Sequence, residues 1–256
     1  RQAETVVISI GSQGLQGLMD QLKPLSLRDR IFVLCMKGLE QGTGRRLSQI
    51  AEENLDPSNA VAVWLGPGHV QEFYRGIPNC MVIDSRREDV KRRLVQSFSS
   101  DLIRFYYGDD LIGNEVGAAA KNVVGIAAGF LDGKGLSSLK GALMSRGTRE
   151  VARLIKAMGG NELSAYGLCH LGDYEATVFS PYSHNRQFGE SFIRGETYTD
   201  LAEGYYTVEA LVLLGQRYGV ELPICQAVHR VLYCGADPMQ ELRALLDRNL
   251  TREFGE

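Results

Sequence analysis

Lys121 is the residue of this 256-residue chain that is best suited to acid–base chemistry, because no other charged residue lies between Glu115 and Asp132. At helical spacing its side chain shares a stripe with small or apolar residues, namely Gly117, Val124, Gly125 and Ala128. Burial in such a stripe lowers the pKa of an ammonium toward neutrality, where it can exchange protons with a substrate. This is the profile of a catalytic lysine. The alternative, which the helix pattern by itself favours, is a lysine that follows a core helix and reaches solvent with its ammonium.

A second group of reactive side chains follows Pro181, where the sequence predicts the beginning of a helix. Hydroxyl, imidazole, amide and guanidinium groups lie there within one turn, on Ser183, His184, Asn185 and Arg186. The N-terminus of a helix that carries such donors is a suitable site for phosphate. The alternative is that Ser183 caps the helix and that its neighbours are solvated. A candidate carboxylate, Asp173, follows Gly172 a little upstream.

Three loops with polar or glycine residues follow predicted strands, at residues 11–13, 37–40 and 66–69. Because ligands of open α/β sheets collect outside the carboxyl ends of the strands, these loops are candidate binding segments. Lys37 brings a cation to the second loop, and glycines in the third would let backbone N–H groups approach an anion. The alternatives are a solvated lysine at a strand exit and a plain Gly-Pro-Gly turn.

The first part of the chain alternates short apolar runs with helical patterns, which predicts an α/β sheet with right-handed crossovers. The predicted strands are residues 5–10, 31–36, 60–66, 80–85 and 102–107. From Gly113 onward only helical periodicities remain, and the predicted helices there are residues 113–131, 139–158, 185–193, 205–218, 224–233 and 238–246. The fold is thus predicted to be α/β plus all-α, with a parallel sheet in residues 1–110 and a helical domain in residues 111–256. The helix of Lys121 would lie where the two domains meet.

The composition of the chain excludes several classes of protein. It has 28 basic and 31 acidic residues and a net charge of -3, so no broad electrostatic surface for nucleic acid is predicted. No run of about 18 apolar residues is present, so no membrane span is expected. The five cysteines are dispersed and no pair has the spacing of a zinc site. We therefore expect no metal and predict reduced thiols in a cytoplasmic protein.

Taken together, these segments resemble the bacterial type of NAD(P)-dependent glycerol-3-phosphate dehydrogenase. The matching blocks are MKGLE at 36–40, GPG at 66–68, NEVGAAAKNVVGIAAGFLDG at 114–133, LGD at 171–173, SPYSHNRQFG at 180–189, LAEG at 201–204 and GVELPICQAVHRVLY at 219–233. They occur in family order over nearly all of the chain, and the AxKN and SxxSxNRxFG blocks are specific in combination. The resemblance implies an incomplete Rossmann-like cofactor domain, followed by a helical domain like that of 6-phosphogluconate dehydrogenase.

The resemblance also implies an activity and a set of site residues. The activity is reversible hydride transfer between NAD or NADP and C2 of sn-glycerol 3-phosphate, which gives dihydroxyacetone phosphate and supplies glycerol phosphate for phospholipid synthesis. Lys121 would be the general acid and base, Lys37 would bridge cofactor and substrate, and Asp173 would hold the glycerol hydroxyls and the Lys121 ammonium. The other implied substrate residues are Gly66, Gly68, Ser183, His184, Asn185 and Arg186. The implied cofactor residues are Lys37, Val70, His184, Leu201 and Glu203.

One difference from the family lies in the expected phosphate site. His184 stands where the family usually has an arginine, and a neutral imidazole binds phosphate more weakly than a guanidinium does. We hypothesise that affinity for the phosphate falls as pH rises through about 6 to 7, the ordinary titration range of histidine. Compensation is expected from Arg186, from a rearranged loop or from the unusual His69.

The other difference from the family lies upstream, because the glycine-rich turn with which family members begin has no counterpart here. About 70 residues, equivalent to two βαβ-type units, are expected to be missing before Arg1. The chain by itself is therefore expected to bind dinucleotide poorly and to expose a sheet edge. The preference for NAD or NADP depends on a residue in that upstream segment, so the sequence leaves it open.

Two other interpretations of the sequence stay open. One is another lysine-dependent hydroxyacid dehydrogenase of the same architecture, of the 6-phosphogluconate or ketopantoate type, although Asp173 and the block at 183–186 favour glycerol phosphate. The other is a non-catalytic binding or oligomerisation protein that has lost its cofactor half. A homodimer formed through the helical domain is a further expectation.

Overall fold

The computed structural model describes residues 3–68, 70–249 and 253, and its strands form one five-stranded sheet. The strands are β1 (Thr5–Ile8), β2 (Ile31–Leu34), β3 (Ala60–Leu65), β4 (Asn79–Ser85) and β5 (Ile103–Tyr107). The helices among them are α1 (Leu15–Leu22), α2 (Leu47–Asn54), α3 (Val70–Tyr74) and α4 (Glu88–Phe98). The helices that follow are α5 (Leu111–Gly133), α6 (Lys140–Ala157), α7 (His184–Arg194), α8 (Glu203–Tyr218), α9 (Pro223–Cys234) and α10 (Pro238–Leu246).

The strands lie side by side in chain order, and the first three run parallel to one another. β2 is buried along its whole length, as its continuous apolar run predicts for a strand covered on both faces. β1 forms one edge of the sheet and β5 the other. The carboxyl ends of β1, β2 and β3 therefore meet at one side, which is where the loops at 11–13, 37–40 and 66–68 begin.

β4 runs antiparallel to β3, so the prediction of a wholly parallel sheet is wrong at this pair, where Ala62 faces Ser85. The link between the two strands contains the five-residue α3. A helix of that length rises about 7.5 Å, whereas a strand of the length of β3 extends about 20 Å. The short α3 covers only part of the length of β3, and the chain re-enters the sheet in the opposite direction. β5 then runs parallel to β4.

Helices cover both faces of the sheet. On one face, Leu15 and Met19 of α1 and Ile50 of α2 pack against Phe32 and Leu34 of β2. The cluster on the other face joins α4 to the strands and contains Ile31, Val33, Ile83, Val90 and Leu94. Ala118 of α5 belongs to the first of these clusters. The long helix that carries Lys121 is thus attached directly to the face of the sheet that α1 and α2 cover.

α5 is the central element of the helical half, and it packs against α6, α7, α8 and α9. Small side chains make this possible, because most residues from Gly113 to Leu131 are buried on every side of the helix. The crossing with α7 is so close that a Cβ on Gly129 would lie 2.1 Å from the carbonyl oxygen of Arg186. The sequence prediction of this helix and of the later ones agrees with the structure to within one or two residues at each end.

No element is predicted from the sequence between α6 and α7, where the structure has a chain of short helical turns at residues 162–166, 171–173 and 175–179. The second of them carries Asp173. Turns of three to five residues are too short to show a helical period in the sequence. The proposed division between residues 1–110 and 111–256 stays a prediction.

Candidate active site

Lys121 lies in the middle of α5 with only 8% of its surface exposed. Its Nζ donates to Thr177 Oγ1 at 2.7 Å and lies 3.1 Å from Asp173 Oδ2. The ammonium therefore points into the protein rather than along the helix to solvent, and the alternative of a solvent-reaching lysine is wrong. Thr177 in turn donates to the backbone carbonyl of Asp173 at 2.7 Å. The lysine is held by two groups of the same turn of chain.

The carboxylate of Asp173, 1% exposed, binds two lysines at once. Its Oδ2 accepts from Lys37 Nζ at 2.7 Å in addition to its contact with Lys121. Lys37 follows β2, and its ammonium also donates to the carbonyl of Gly66 after β3, at 2.6 Å. Two strand ends of the sheet and the turn at 171–173 thus converge on the central helix and form the lysine cluster, which consists of Lys37, Gly66, Lys121, Asp173 and Thr177.

The neighbours of Lys121 change the pKa of its ammonium. Burial lowers the pKa of the Lys121 ammonium from 10.5 to about 8, because the charged form loses its hydration. The Asp173 carboxylate opposes that shift, and the nearby Lys37 cation adds to it. The side chain can therefore give up and regain a proton close to neutral pH, as its apolar stripe predicted.

Gly66 reaches its place in the cluster through a backbone conformation that other residues avoid. Its φ is +124°, and a Cβ there would lie 3.1 Å from the Cα of Met81 on β4. The glycine therefore lets the chain turn between two antiparallel strands while its carbonyl faces Lys37. Gly68 lies closer to α3, where a Cβ would meet the ring of Phe73 at 2.9 Å.

A chain of amides runs beside the lysines and joins four segments. Asn122 Nδ2 donates to the carbonyl of Lys37 at 2.8 Å, and Asn122 Oδ1 accepts from Asn185 Nδ2 at 3.1 Å. Asn185 Oδ1 accepts from the backbone N–H of Gly204 at 2.8 Å. The loop after β2, the central helix and the first turns of α7 and α8 are thereby fixed relative to one another.

The residues at the beginning of α7 have diverse partners. Ser183 is the N-cap of the helix, and its Oγ accepts from the N–H of Arg186 at 3.3 Å. The His184 side chain is 57% exposed, and its Nδ1 lies 2.8 Å from the hydroxyl of Tyr198. Ser183 thus caps the helix, as the alternative interpretation of this segment predicted, and the exposed imidazole of His184 faces solvent.

Arg186 is engaged elsewhere. Its Nη1 donates to Asp132 at 2.9 Å and to Glu190 at 2.8 Å, and its Nε donates to the carbonyl of Ser180 at 3.2 Å. The guanidinium is largely buried and its charge is balanced by two carboxylates. None of these partners belongs to the lysine cluster, so the structure does not bring Arg186 to Lys121.

The predicted cofactor residues of the helical half face the loop after β1. Glu203 Oε1 accepts from the backbone N–H of Ser12 at 2.8 Å, and Glu203 Oε2 accepts from the Ser12 hydroxyl. Leu201 is 54% exposed, and its Cδ2 would lie 3.6 Å from a Cβ on Gly11. Val70, 63% exposed, begins α3. His69, the other unusual residue of the sequence, lies outside the described residues.

Comparison with known proteins assigns the chain to a family. Residues 1–91 match the model of the NAD-dependent glycerol-3-phosphate dehydrogenase N-terminus, and residues 110–243 match that of its C-terminus. The chain belongs to the NAD-dependent glycerol-3-phosphate dehydrogenase family. This agrees with the resemblance carried by the sequence blocks around Lys121 and Ser183.

Relatives of this glycerol-3-phosphate dehydrogenase family align with nearly the whole chain. Named NAD(P)+ glycerol-3-phosphate dehydrogenases of Thermus thermophilus and Chlorobium limicola are 39% and 34% identical, and each alignment covers 98% of this chain and 78% of the relative. The crystal structure of glycerol-3-phosphate dehydrogenase from Coxiella burnetii matches 96% of this chain and 78% of its own, with 29% identity and a TM-score of 0.90.

Thr177 and Asn122 contact site residues, although neither has a role predicted from the sequence. Asn122 follows Lys121 directly and was within the AxKN block. Thr177 is four residues after Asp173, which on one helical turn places both side chains on the same side. That spacing was a usable signal only once the segment was known to be helical.

No helix of the described residues is long and apolar enough to span a membrane.

Proposed function

We propose that this chain interconverts sn-glycerol 3-phosphate and dihydroxyacetone phosphate with NAD or NADP, the activity for which its relatives are named, and so supplies glycerol phosphate for phospholipid synthesis. One observation carries the proposal. A lysine whose pKa lies near 8 is buried against Asp173 and beside Lys37, at the place where the strand ends meet the central helix. Binding sites of open α/β sheets lie at that side.

In the proposed reaction Lys121 moves the proton that accompanies hydride transfer. The nicotinamide, when bound, supplies the hydride that adds to the C2 carbonyl of dihydroxyacetone phosphate. The Lys121 ammonium donates a proton to the oxygen that becomes negative, which yields the secondary alcohol. In the reverse direction the neutral amine removes the proton of that hydroxyl. Asp173 and Thr177 hold Nζ in place through the contacts of 3.1 and 2.7 Å.

The remaining residues would orient the substrate around that centre. We propose that Asp173 and Lys37 bind the glycerol oxygens and that Gly66 and Gly68 line the same side. The N-terminus of α7 would take the phosphate with the Ser183 hydroxyl, the Asn185 amide and the exposed His184 imidazole, because helix N–H groups and polar donors suit an anion. Arg186 is also proposed as a substrate residue. Its charge is already paired with two carboxylates, so it would contribute indirectly, by holding α7 in place.

The chemistry of the residues opposite β1 fits a dinucleotide. Glu203 offers carboxylate acceptors of the kind that ribose hydroxyls require. A Cβ on Gly38 would lie 2.4 Å from the Ser12 hydroxyl, so the two loops approach closely there. We propose that Leu201, Glu203 and Val70 contact the cofactor, that His184 reaches it from α7, and that Lys37 stands between it and the substrate.

The test is the reduction of dihydroxyacetone phosphate by the purified full-length protein, followed by the loss of NADH or NADPH absorbance. Lys121→Ala is expected to lower kcat by about 10²- to 10⁴-fold, the usual contribution of a general acid. Lys156→Ala is the matched control, because Lys156 is an exposed lysine of α6 and its partner is Glu162. A Lys121→Ala variant with a near-normal kcat would show that the proposed role is wrong.

A folded full-length wild-type protein that reduces neither dihydroxyacetone phosphate nor a panel of related hydroxyacid substrates would favour the non-catalytic alternative. The panel should contain 6-phosphogluconate and ketopantoate, each with both nicotinamide cofactors. Activity with one of these instead would favour the related hydroxyacid dehydrogenases. The same assay decides the preference for NAD or NADP.

We further propose a homodimer that forms through the helical half. A cavity of about 1330 Å³ supports it, because its wall is largely apolar and no residue of the lysine cluster lines it. The wall is built by the end of α5 together with α6, α9 and α10, and Leu246, one of the lining residues, is 67% exposed. Exposed apolar area of this kind is typical of interfaces. Sedimentation equilibrium that shows a monomer at micromolar concentration would contradict the dimer.

We propose the cytoplasm as the location of the protein. The described cysteines Cys35, Cys80, Cys169, Cys225 and Cys234 are all free thiols, which is typical of reducing compartments. Cell fractionation followed by immunodetection is the direct measurement, and recovery with the periplasmic or membrane fraction would contradict the proposal.

A further inference from the structure

His170 and Tyr174 form a fully buried polar pair on either side of the turn that carries Asp173. His170 Nδ1 lies 2.8 Å from the carbonyl oxygen of Gly117, and His170 Nε2 lies 2.7 Å from the Tyr174 hydroxyl. Both side chains are 0% exposed. Gly117 is one turn before Lys121 on α5, so the pair connects the turn at 171–173 to the helix of the catalytic candidate.

The partners of the imidazole fix its tautomer. A carbonyl oxygen only accepts hydrogen bonds, so Nδ1 carries the proton and Nε2 accepts from the Tyr174 hydroxyl. Burial lowers the pKa of His170 to about 4, so the ring is neutral over the physiological range. The pair therefore keeps the same hydrogen bonds at neutral pH and adds no charge beside Lys121.

The backbone approaches closely where the pair is anchored. A Cβ on Gly117 would lie 3.1 Å from the Cβ of His170, so the histidine backbone lies directly on α5. Asp173 donates its N–H to the carbonyl of His170 at 3.0 Å, and its own carbonyl accepts from Thr177. The position of the Asp173 carboxylate thus depends on a turn whose two ends are tied down by His170 and Tyr174.

We propose that His170 and Tyr174 are positioning residues, which hold the Asp173 turn against Gly117 and thereby set the distance between the Asp173 carboxylate and the Lys121 ammonium. Among the described residues, neither side chain hydrogen-bonds to Lys121. The inference rests on the proposed function of Lys121 and Asp173, and it goes beyond that function because it assigns the alignment of these two groups to a separate buried pair.

The main test is Tyr174→Phe, which keeps the ring in the core and removes the hydroxyl that bonds to His170. A displacement of about 1 Å at a reacting group can cost 10²-fold, and a loosened turn is expected to lower kcat for ketone reduction by about tenfold. The KM for the nicotinamide is expected to stay unchanged. Because Asp173 raises the pKa of Lys121, the pKa seen in the pH profile should also fall.

The matched control is Tyr233→Phe. Tyr233 also donates its hydroxyl to one acceptor, the carbonyl of Tyr205, at 2.7 Å, but it lies on α9 and makes no hydrogen bond to the lysine cluster among the described residues. This variant should lower the melting temperature by a similar amount and leave kcat and the pH profile as in the wild type. His170→Asn should behave like Tyr174→Phe, and the double variant should be no worse than either, because the two residues act as one unit.

A readout without turnover separates this inference from the proposed function. The ¹⁵N resonance of the Lys121 ammonium, assigned by its loss in Lys121→Ala, can be titrated in the free protein. Tyr174→Phe should move that titration to lower pH even if the chain turns over a different substrate. An unchanged Lys121 titration and an unchanged kcat, with only a lower melting temperature, would overturn the proposal and leave the pair as part of the core.

Discussion

At the scale of single residues, one carboxylate and two lysines determine the properties of the site. Asp173 is shared between Lys37 and Lys121, so the cluster carries one excess positive charge when both lysines are protonated. The loss of hydration lowers the pKa of Lys121, the Asp173 carboxylate opposes that shift, and the Lys37 cation adds to it. A positive pocket with a readily released proton suits an anionic substrate that gains a proton during reduction.

The pH dependence should follow Lys121. Its ammonium predominates below a pKa of about 8, so kcat/KM for ketone reduction should fall about tenfold per pH unit above 8. Alcohol oxidation needs the neutral amine and should rise through the same range. Asp173→Asn removes the anion that raises the pKa of Lys121, so both transitions should move to lower pH. Profiles in both directions that show no transition between pH 7 and 9 would contradict the assignment.

His184 should limit the affinity of the proposed phosphate site. A guanidinium can bind phosphate through two parallel hydrogen bonds, whereas an imidazole offers a single donor there. His184→Arg is therefore expected to lower the KM for dihydroxyacetone phosphate at fixed pH, as measured by initial rates. A KM as high as that of the wild type would contradict a contact between this side chain and the phosphate.

At the scale of elements, the crossing of α5 and α7 links the catalytic helix to the proposed phosphate site. Gly129 on α5 and Gly189 on α7 let the backbones touch, since a Cβ on Gly189 would lie 2.3 Å from the carbonyl oxygen of Ile126. α7 begins at His184, so its distance from α5 determines where the proposed phosphate donors stand relative to Lys121. Any side chain at the crossing would move the two groups apart.

Gly129→Ala should therefore impair both folding and substrate binding. Its methyl group would meet the backbone of Arg186 and Glu190, so the free energy of unfolding should fall by about 1–3 kcal/mol, and the KM for the phosphate substrate should rise. Gly17→Ala is the control, because Gly17 lies in α1 with no atom within 4 Å of a Cβ. That variant should gain up to about 1 kcal/mol. Urea denaturation measures the free energy of unfolding, and initial rates measure the KM. A free energy of unfolding for Gly129→Ala equal to that of the wild type would contradict the predicted clash.

At the scale of the whole molecule, a buried ion pair joins the loop before α2 to the central helix. Arg46 Nη1 donates to Glu115 Oε2 at 2.5 Å, and both side chains are about 5% exposed or less. The same carboxylate accepts from the backbone N–H and the hydroxyl of Ser48. Burial nevertheless raises the pKa of Glu115 above its usual range. The pair therefore fixes how α5 sits on the sheet more than it stabilises the fold.

Glu115→Gln should destabilise the protein by about 3–5 kcal/mol, because it leaves the Arg46 charge buried without its anion. Arg46→Met combined with Glu115→Leu should recover much of that loss, since no charge is then buried. Glu52→Gln is the surface control, because Glu52 pairs with an exposed Arg86, and it should cost at most about 1 kcal/mol. Urea denaturation gives the three values. A loss for Glu115→Gln no larger than that for Glu52→Gln would contradict the assigned role.

The sequence alone determined much of the local structure and the family. The stripe of small and apolar residues beside Lys121 predicted a buried helix and a lysine with a lowered pKa, because a helical period and the cost of burying a charge are both local properties. The blocks around Lys121 and Ser183 carried the resemblance that the family models confirm. For the same reason the later helices were predicted to within one or two residues.

The resemblance implied the contact between Asp173 and Lys121, but only the tertiary structure decided which other groups meet. A strand pattern has the same period in either direction, so it could not show that β4 is antiparallel to β3. The contact between Lys37 and Asp173 spans 136 residues, and the pairing of Arg186 with Asp132 depends on how α7 crosses α5. The His170–Tyr174 pair lay in turns too short to leave a period. These contacts depend on packing between distant segments, whereas a sequence pattern reports only the preferences of neighbouring residues.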